Sequence, residues 1–415
     1  LLWAYKKLMH RILSGALPLG SFTVIWPDGS ASTYGDGKPP RAAVEIRDAA
    51  TLRRLILNPE LSIGEAYMDQ GLVPQNCSLH DVLVLLLHNV SQNWDDIAVL
   101  RWNGLLQRLL KPFHSANDAR RARRNVAHHY DLNGRLYALF LDRDRQYSCA
   151  YFRDGDESLE DAQAAKKRHI AAKLRLDRPG LTVLDIGSGW GGMALTLARD
   201  YGARVTGITL SAEQLQESRA RALAEGLEDQ VNFELADYRT INQTFDRIVS
   251  VGMFEHVGVA NYPDYFSTIK RCLQPDGVAL LHSIGRFSGP AITNQWIAKY
   301  IFPGGYSPAL SEVLPALESA GLLATDIEIL RLHYAKTLAH WRRRFAANRD
   351  AIAALYDERF CRMFEFYLSG SELAFRMNNH MNFQIQIIRQ QEAVPLTRDY
   401  MLERERPFAF AEHSR

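Results

Sequence analysis

The sequence predicts an α/β fold: a doubly wound, mostly parallel sheet, preceded by a small α+β unit and capped by helices from its tail. Three observations predict it. Five short apolar runs alternate with amphipathic helical stretches between residues 181 and 284. The first run ends in a glycine-rich turn, Asp185-Ile-Gly187-Ser-Gly189-Trp-Gly191-Gly192, which opens directly into the helical pattern Met193-Ala-Leu-Thr-Leu-Ala198. The side chains suited to chemistry, Asp237-Tyr238, Glu255-His256 and His282, fall at the ends of later runs. Open sheets of this type bind their ligands beyond those ends.

Taken in order, Thr23-Val-Ile-Trp26 and Ala31-Ser-Thr-Tyr34 flank Pro27-Asp-Gly-Ser30 and predict a β-hairpin. Ala43-Val-Glu-Ile46 is a further strand, and 49–57 and 79–90 are expected helices joined by the Gly64-bearing stretch 61–67. This unit holds no catalytic cluster, so a structural or ligand-guiding role is expected of it. Pro112 and the cluster Arg120, Arg121, Arg123 and Arg124 mark a boundary, with domains expected at 1–115 and 116–415. The basic cluster reads either as a solvated linker face or as a patch toward anionic headgroups.

A helix around Leu136, Leu139, Phe140 and Leu141, N-capped by Asp131 or Asn133, opens the second part. His128-His129 lacks a second ligand pair at metal spacing, so no metal site is expected. A long polar helix over 159–176 carries Lys166-Lys-Arg-His169. The alternating strands are 181–186, 204–209, 231–235, 246–251 and 278–284, with helices at 193–198, 212–224 and 262–273 between them. The tail reads as helical over 292–301, 311–320, 334–348, 352–369 and 371–390. Its Met- and aromatic-rich stretches, 363–368 and 375–383, suit a packed core or the wall of an acyl-chain channel.

Composition bounds the function classes. A chain of 415 residues with 47% apolar and 23% charged residues is an ordinary globular protein of about two domains. A net charge of +2 predicts no strong overall field and no nucleic-acid partner, so attraction to a membrane must come from local patches. Four scattered cysteines exclude a disulfide framework and fit a reducing cytoplasm. The longest apolar run, 82–87, is too short to cross a bilayer, which needs about 20 residues. The opening Leu1-Leu-Trp-Ala-Tyr-Lys-Lys reads as an amphipathic helix or a boundary of the chain rather than a signal peptide.

The glycine turn satisfies G-x-G-x-x-G through Gly187, Gly189 and Gly192, which leaves a dinucleotide and S-adenosylmethionine both open. The second strand ends Gly207-Ile-Thr209-Leu-Ser211-Ala-Glu213-Gln214 without the carboxylate that would hold a ribose in either case. Asp185 before the glycines and Asp237 after the third strand favour S-adenosylmethionine.

Five strings decide further: Tyr147-Ser-Cys-Ala-Tyr-Phe152, the glycine turn, Gly207–Gln214, Val251-Gly-Met-Phe-Glu-His-Val-Gly258 and Leu281-His-Ser-Ile-Gly285. With Trp296-Ile-Ala-Lys-Tyr-Ile-Phe-Pro303 and Ala374-Phe-Arg376, they resemble the cyclopropane-fatty-acyl-phospholipid synthase family, in order, from about residue 125 to 390. Residues 40–100, notably Gly64-Glu-Ala-Tyr-Met-Asp69, are similar to that family's N-terminal domain less specifically. The resemblance implies a Rossmann-like class I methyltransferase domain with a helical cap, preceded by a lipid-handling domain. It implies methylene transfer from S-adenosylmethionine to the cis double bond of a phospholipid acyl chain, with bound bicarbonate as the base that removes the proton. It implies a bicarbonate site at Cys149, Glu255, His282, Ile284 and Tyr334, with Tyr300 or Tyr306 as alternatives for the tyrosine. For the cofactor it implies Tyr147, Ser148, Gly187, Gly189, Thr209, Gln214, Asp237 and Tyr238, to which the glycine turn itself adds Asp185 and Gly191. Thr209 and Gln214 stand where the ribose carboxylate is missing, and Trp190 is expected to pack over the cofactor. A homodimer and peripheral association with the cytoplasmic face of a phospholipid bilayer are further implications. Basic clusters at 120–124, 166–168 and 342–344 are candidate contacts to an anionic surface. Rival readings are a methyl- or methylene-branched product, a non-catalytic lipid carrier, and an NAD-dependent oxidoreductase.

Overall fold

A computed structural model describes residues 2–93 and 134–411, and these divide into two compact units. The first unit takes in the chain up to 113, together with 291–303 and 338–379. The second holds 114–290, 304–337 and 380–415. The expected domain boundary at 115 lies outside the described residues. Compactness, unlike that boundary, groups two later segments of the chain with the N-terminal part.

The first unit is built on a four-stranded sheet in the order β2-β1-β3-β4, with β1 Ser21–Ile25, β2 Ala31–Tyr34, β3 Arg41–Ile46 and β4 Leu72–Pro74. The hairpin expected around Pro27-Asp-Gly-Ser30 is present, with Phe22 opposite Tyr34. Alternate residues Phe22, Val24, Ala42, Val44 and Ile46 are buried against helices Leu2–Ala16, Ala49–Leu57 and Leu79–Asn93. The stretch expected to join two helices is itself the helix Pro59–Met68, with Asn58 capping it and Pro59 in its first turn. Gly64 allows that helix to meet Trp296: a Cβ there would stand 2.4 Å from the indole nitrogen.

The second unit carries a seven-stranded sheet in the order β10-β11-β9-β8-β5-β6-β7. Its strands are β5 Thr182–Ile186, β6 Arg204–Thr209, β7 Val231–Leu235, β8 Phe245–Val251, β9 Leu273–Arg286, β10 Leu323–Leu330 and β11 His380–Ile388. From β9 to β7 the pairs are parallel, so their carboxyl ends share one edge. Val183, Val205, Val249 and Leu280 bury one face under helices Leu159–Lys173 and Gly192–Tyr201. Leu184, Ile186, Ile208, Ile248 and Leu281 bury the other under Tyr262–Cys272 and Leu310–Ser319. The sequence order reverses between β5 and β8, the switch point where such sheets open a crevice.

Two expectations fail here. Residues 371–390 are not one helix: the helix Glu358–Met377 ends and β11 begins at His380, antiparallel to β9. With β10, it adds two antiparallel strands to the parallel sheet. The alternating run His380-Met-Asn-Phe-Gln-Ile-Gln-Ile-Ile388 has period two, and its Met, Phe and Ile side chains reach the apolar core while Asn382, Gln384 and Gln386 face the other side. The helix Leu159–Lys173 is not a solvated polar helix either. Lys166 is fully buried and Lys167 nearly so, which removes both from the candidate headgroup contacts. The cluster at 120–124, His128-His129 and the caps Asp131 and Asn133 lie outside the described residues.

Asn89, fully buried in the first unit, accepts from Leu19 N at 2.9 Å and donates to the Leu19 and Leu85 carbonyls at 3.0 Å each. Asn89→Leu leaves the Leu19 peptide groups without those partners. It is expected to lower stability by about 1–3 kcal/mol, read as a lower melting temperature of the first unit.

Candidate active site

The turn after β5 is held down by β6: the N–H groups of Gly187 and Ser188 both donate to the Ile208 carbonyl, at 3.0 and 2.9 Å. Gly187, Gly189 and Gly191 have φ of 82°, 54° and 86°, backbone that residues with a Cβ rarely adopt. Their surroundings differ. A Cβ on Gly191 would stand 2.9 Å from both Phe233 and Ser218, and one on Gly187 2.9 Å from Met253. One on Gly189 would meet nothing within 4 Å and would project into open space.

That space is a cleft of about 1200 Å³, its open mouth included, at the carboxyl edge of β5, β6 and β8. Tyr147, Ser148, Asp185, Gly187, Gly189, Thr209, Gln214, Asp237 and Tyr238 all line it, as does Trp190. Gly191 does not: it starts the helix Gly192–Tyr201, and its missing side chain lets that helix close on Phe233. Thr209 Oγ1 donates to Gln214 Oε1 at 2.8 Å, so the pair presents the Gln214 amide where a carboxylate was absent from the sequence. Asp237 is less free than expected, because both its oxygens bond Arg239. Burial raises the Asp185 carboxyl to about 7, against the pull of Lys166, and its Oδ2 has no hydrogen-bond partner among the described residues. A polar atom so placed, beside a cradle that only glycine can form, fits a ligand rich in donors.

The second set of residues stands at the ends of β8 and β9. The short helical turn Phe254–His256 places Glu255 so that its Oε1 accepts from Ile284 N at 2.7 Å. Glu255 Oε2 is buried without a hydrogen-bond partner among the described residues. Burial lifts this carboxyl to about 7, although the Ile284 N–H favours the ionised form. His282 lies two residues earlier on β9, and its backbone carbonyl accepts from Gly252 N at 2.9 Å. Burial, then Lys166 and Lys173, depress its imidazole to about 3, so the ring is neutral. Its two nitrogens are flanked by Gln384 Nε2 at 3.1 Å and Asn382 Nδ2 at 3.4 Å, both from β11. His282 is therefore already engaged, and a further hydrogen bond from it requires one amide to give way.

Cys149 is fully buried, and burial pushes its thiol well above the usual range, which suits a backbone role rather than a thiolate. Its segment is tied to the helix that begins at His333: Ala150 N donates to Thr337 Oγ1 at 3.0 Å and Phe152 N to His333 Nδ1 at 2.9 Å. Tyr334 lies in that same first turn and is buried. Of the two alternatives, Tyr306 stands beside this set, its N–H donating to the Glu255 backbone carbonyl at 2.8 Å. The Tyr306 hydroxyl donates to Glu312 at 2.8 Å, and that of Tyr300 to Glu65 at 2.8 Å in the first unit.

A sequence model of mycolic acid cyclopropane synthetases matches residues 117–385. The chain belongs to the mycolic acid cyclopropane synthetase family. A domain of unknown function matches residues 4–92. The chain is 39% identical over 353 residues to the cyclopropane-fatty-acyl-phospholipid synthase of Escherichia coli, covering 84% of this chain and 88% of that one. It is 34% identical over 401 residues to the tuberculostearic acid methyltransferase of Mycobacterium tuberculosis, covering 93% and 92%. The crystal structure of a mycolic acid cyclopropane synthase complexed with SAH and CTAB superposes with a TM-score of 0.61 at 34% identity, over 64% of this chain and 97% of that one. As a cyclopropane synthetase family member, the chain is a lipid-modifying enzyme with the class I methyltransferase fold, and its cofactor is S-adenosylmethionine.

Several cleft residues escaped the sequence reading. Gln146 and Met253 line it, and so does His256, already singled out beside Glu255; burial lowers the His256 imidazole to about 4. Behind the lining, Asp144 accepts from Lys167 at 2.6 Å and from Arg221, which also reaches the Trp190 carbonyl at 2.7 Å. A signal existed in the spacing of Gln163 and Lys166, one helical turn apart and so on one face.

The two glycines separate fold from ligand. Gly191→Ala is expected to cost about 2 kcal/mol or more of stability, from a left-handed backbone and two contacts near 2.9 Å. Gly189→Ala should cost about 1 kcal/mol yet weaken binding of S-adenosylhomocysteine more strongly, because its methyl enters the cleft. Thermal unfolding and calorimetric titration of the two variants check this contrast.

Proposed function

We propose that the protein transfers a methylene group from S-adenosylmethionine to the cis double bond of a phospholipid acyl chain, closing a cyclopropane ring. The observation that carries this reading is Glu255: a buried carboxylate with one oxygen on the Ile284 N–H and the other without a partner among the described residues, beside the cleft. S-adenosylmethionine supplies an electrophilic methyl group. An alkene is a weak nucleophile, so the site must align it and exclude water. Phe254, Tyr262, Tyr265 and Phe266, packed ring to ring next to Glu255, make this end of the sheet dry.

Bicarbonate is the proposed base for the proton that leaves before ring closure. Glu255 Oε2 is an acceptor for its hydroxyl, Tyr334 is a donor for its oxygens, as is His282 once Asn382 or Gln384 gives way, and Cys149 and Ile284 are the proposed backbone partners, the Ile284 N–H being shared with Glu255. Glu255 must be ionised to accept that proton. With its carboxyl near 7, activity is expected to rise as pH increases through about 7.

The same group gives a stability test. Glu255 has a folded pKa above the ordinary value of 4.5, so the folded state holds its proton more tightly. Its contribution to stability is present below 4.5 and is lost as pH rises through about 7. Glu255→Gln is expected to abolish turnover, to keep cofactor affinity within about twofold, and to raise the melting temperature relative to the parent more at pH 8 than at pH 5. Lost cofactor binding, or a pH-independent difference in melting, would contradict the role given to Glu255.

The phospholipid substrate implies work at a bilayer surface. Among the described residues no helix is long and apolar enough to cross a membrane. The helix Leu2–Ala16 supports surface binding: it exposes Trp3 and Leu8 beside Lys7 and Arg11 and carries no acid. Homodimerisation and residence at the cytoplasmic face belong to the same proposal. A second reading, methyl branching without ring closure, is favoured by the 34% identity to a tuberculostearic acid methyltransferase. Incubation with methyl-labelled S-adenosylmethionine and monounsaturated phospholipid vesicles separates the two. High-field cyclopropane protons are expected in the NMR spectrum of the acyl chains, and methyl-branched product would instead establish the second reading. Turnover is expected to fall in bicarbonate-depleted buffer and to return when bicarbonate is added, and an unchanged rate would remove bicarbonate from the mechanism.

A further inference from the structure

Lys166 is a fully buried ammonium, an expensive group to desolvate, and nothing in the transfer chemistry above uses it. Two of its N–H donors go to side chains of the cofactor cleft: Gln146 Oε1 at 2.6 Å and Ser148 Oγ at 2.8 Å. We propose that Lys166, acting through Ser148 and Gln146, is a positioning residue that selects the α-carboxylate end of the methyl donor for this rim of the cleft. The proposal rests on the reading of the cleft as an S-adenosylmethionine site.

The direction of the hydrogen bonds carries it. An ammonium only donates, so Ser148 Oγ gives Lys166 a lone pair and keeps its own proton for another acceptor. The Ser148 carbonyl is already taken by Gln163 Nε2 at 2.9 Å. Gln146 is locked as well, with Oε1 on Lys166 and Nε2 donating to Asp144 at 3.0 Å. The rim thus offers a hydroxyl proton to the cleft, with a cation directly behind it. The charges add in the same sense. Lys166, Lys167 and Arg221 are three cations against two carboxylates, Asp142 and Asp144, an excess of one positive charge that Asp185, its carboxyl near 7, offsets only in part. Asp142 spends its oxygens on the N–H groups of Gln146 and Asp144, at 2.9 and 3.1 Å, and Asp144 on Lys167, Arg221 and Gln146.

A positive, hydrogen-donating rim attracts a carboxylate and repels a sulfonium. S-adenosylmethionine carries both, a few bonds apart, with an α-ammonium on the carbon that bears the carboxylate, so such a rim takes the carboxylate oxygens and turns both cationic groups away from it. The Lys166 ammonium thereby aims the methyl group without touching it.

The test compares two probes, S-adenosylhomocysteine and 5′-methylthioadenosine, which lacks the amino-acid arm. Affinities are measured by calorimetric titration on the full chain and on K166M, K166R and S148A, with melting temperatures alongside. In K166M, S-adenosylhomocysteine is expected to bind about tenfold weaker or worse, the scale of a lost hydrogen bond to a charged group, and 5′-methylthioadenosine within about twofold of the parent. K166R should recover most of the lost affinity, because it restores a buried cation. S148A should show the same selectivity as K166M, and it decides the matter if K166M does not fold. Equal loss of both probes in K166M and S148A, or loss of neither, overturns the role of Lys166. Failure of the parent chain to bind S-adenosylhomocysteine would instead overturn the cofactor reading on which this rests.

Discussion

Everything at the cofactor edge depends on close approach across the glycine turn. A Cβ at Gly207 would stand 2.7 Å from the Phe233 ring and one at Gly191 2.9 Å from the same ring, so the helix after the turn closes on β6 and β7 only without those carbons. Gly192 repeats the constraint on the other side, where a Cβ would stand 2.3 Å from the Asp144 carboxylate and 2.4 Å from the Gln146 amide. The turn, the helix start and the polar segment 144–148 are therefore one packed assembly. Widening it at any of these glycines would move the floor of the cleft as well as the fold.

Burial sets the electrostatics of both halves of the site. Asp185 and Glu255 sit near neutrality because water is excluded around them, and His282 and His256 are held neutral for the same reason. Such groups are costly to fold around. Their cost is consistent with the proposed transfer to an alkene, since a dry cavity with few bases keeps water away from the reacting carbon atoms. Asn382, Gln384 and Gln386 form a polar row on β11 beside His282, and this row keeps a neutral imidazole hydrogen-bonded inside a protein core.

Legibility followed the period of the chain. Strands β5 to β8 and the glycine turn were readable because short β-branched runs alternate with helical stretches at regular spacing, and the carboxyl-end positions of Asp237 and Glu255 followed from that alone. β11 was not readable. It follows a long helix after only two residues, and its Met, Asn and Gln content resembles the helix before it more than a strand. Lys166 and Lys167 were misread for a related reason. A run of cations on a helix ordinarily marks a solvated face, and only the fold brings Asp144, Gln146 and Ser148 over that face.

The amino-acid sequence by itself determined the fold class, the family and most of a set of residues that line one cleft, because these rest on local spacing and on strings that survive without coordinates. Tertiary structure alone decided which of those residues face the cleft, that Gly191 packs against Phe233 outside the cleft lining, that the ring of His282 is already engaged, and that a lysine lies under the cleft rim. The physical reason is that burial and hydrogen-bond direction are relations between distant segments. Residues 144–148, 163–166 and 221 meet only after the sheet has formed.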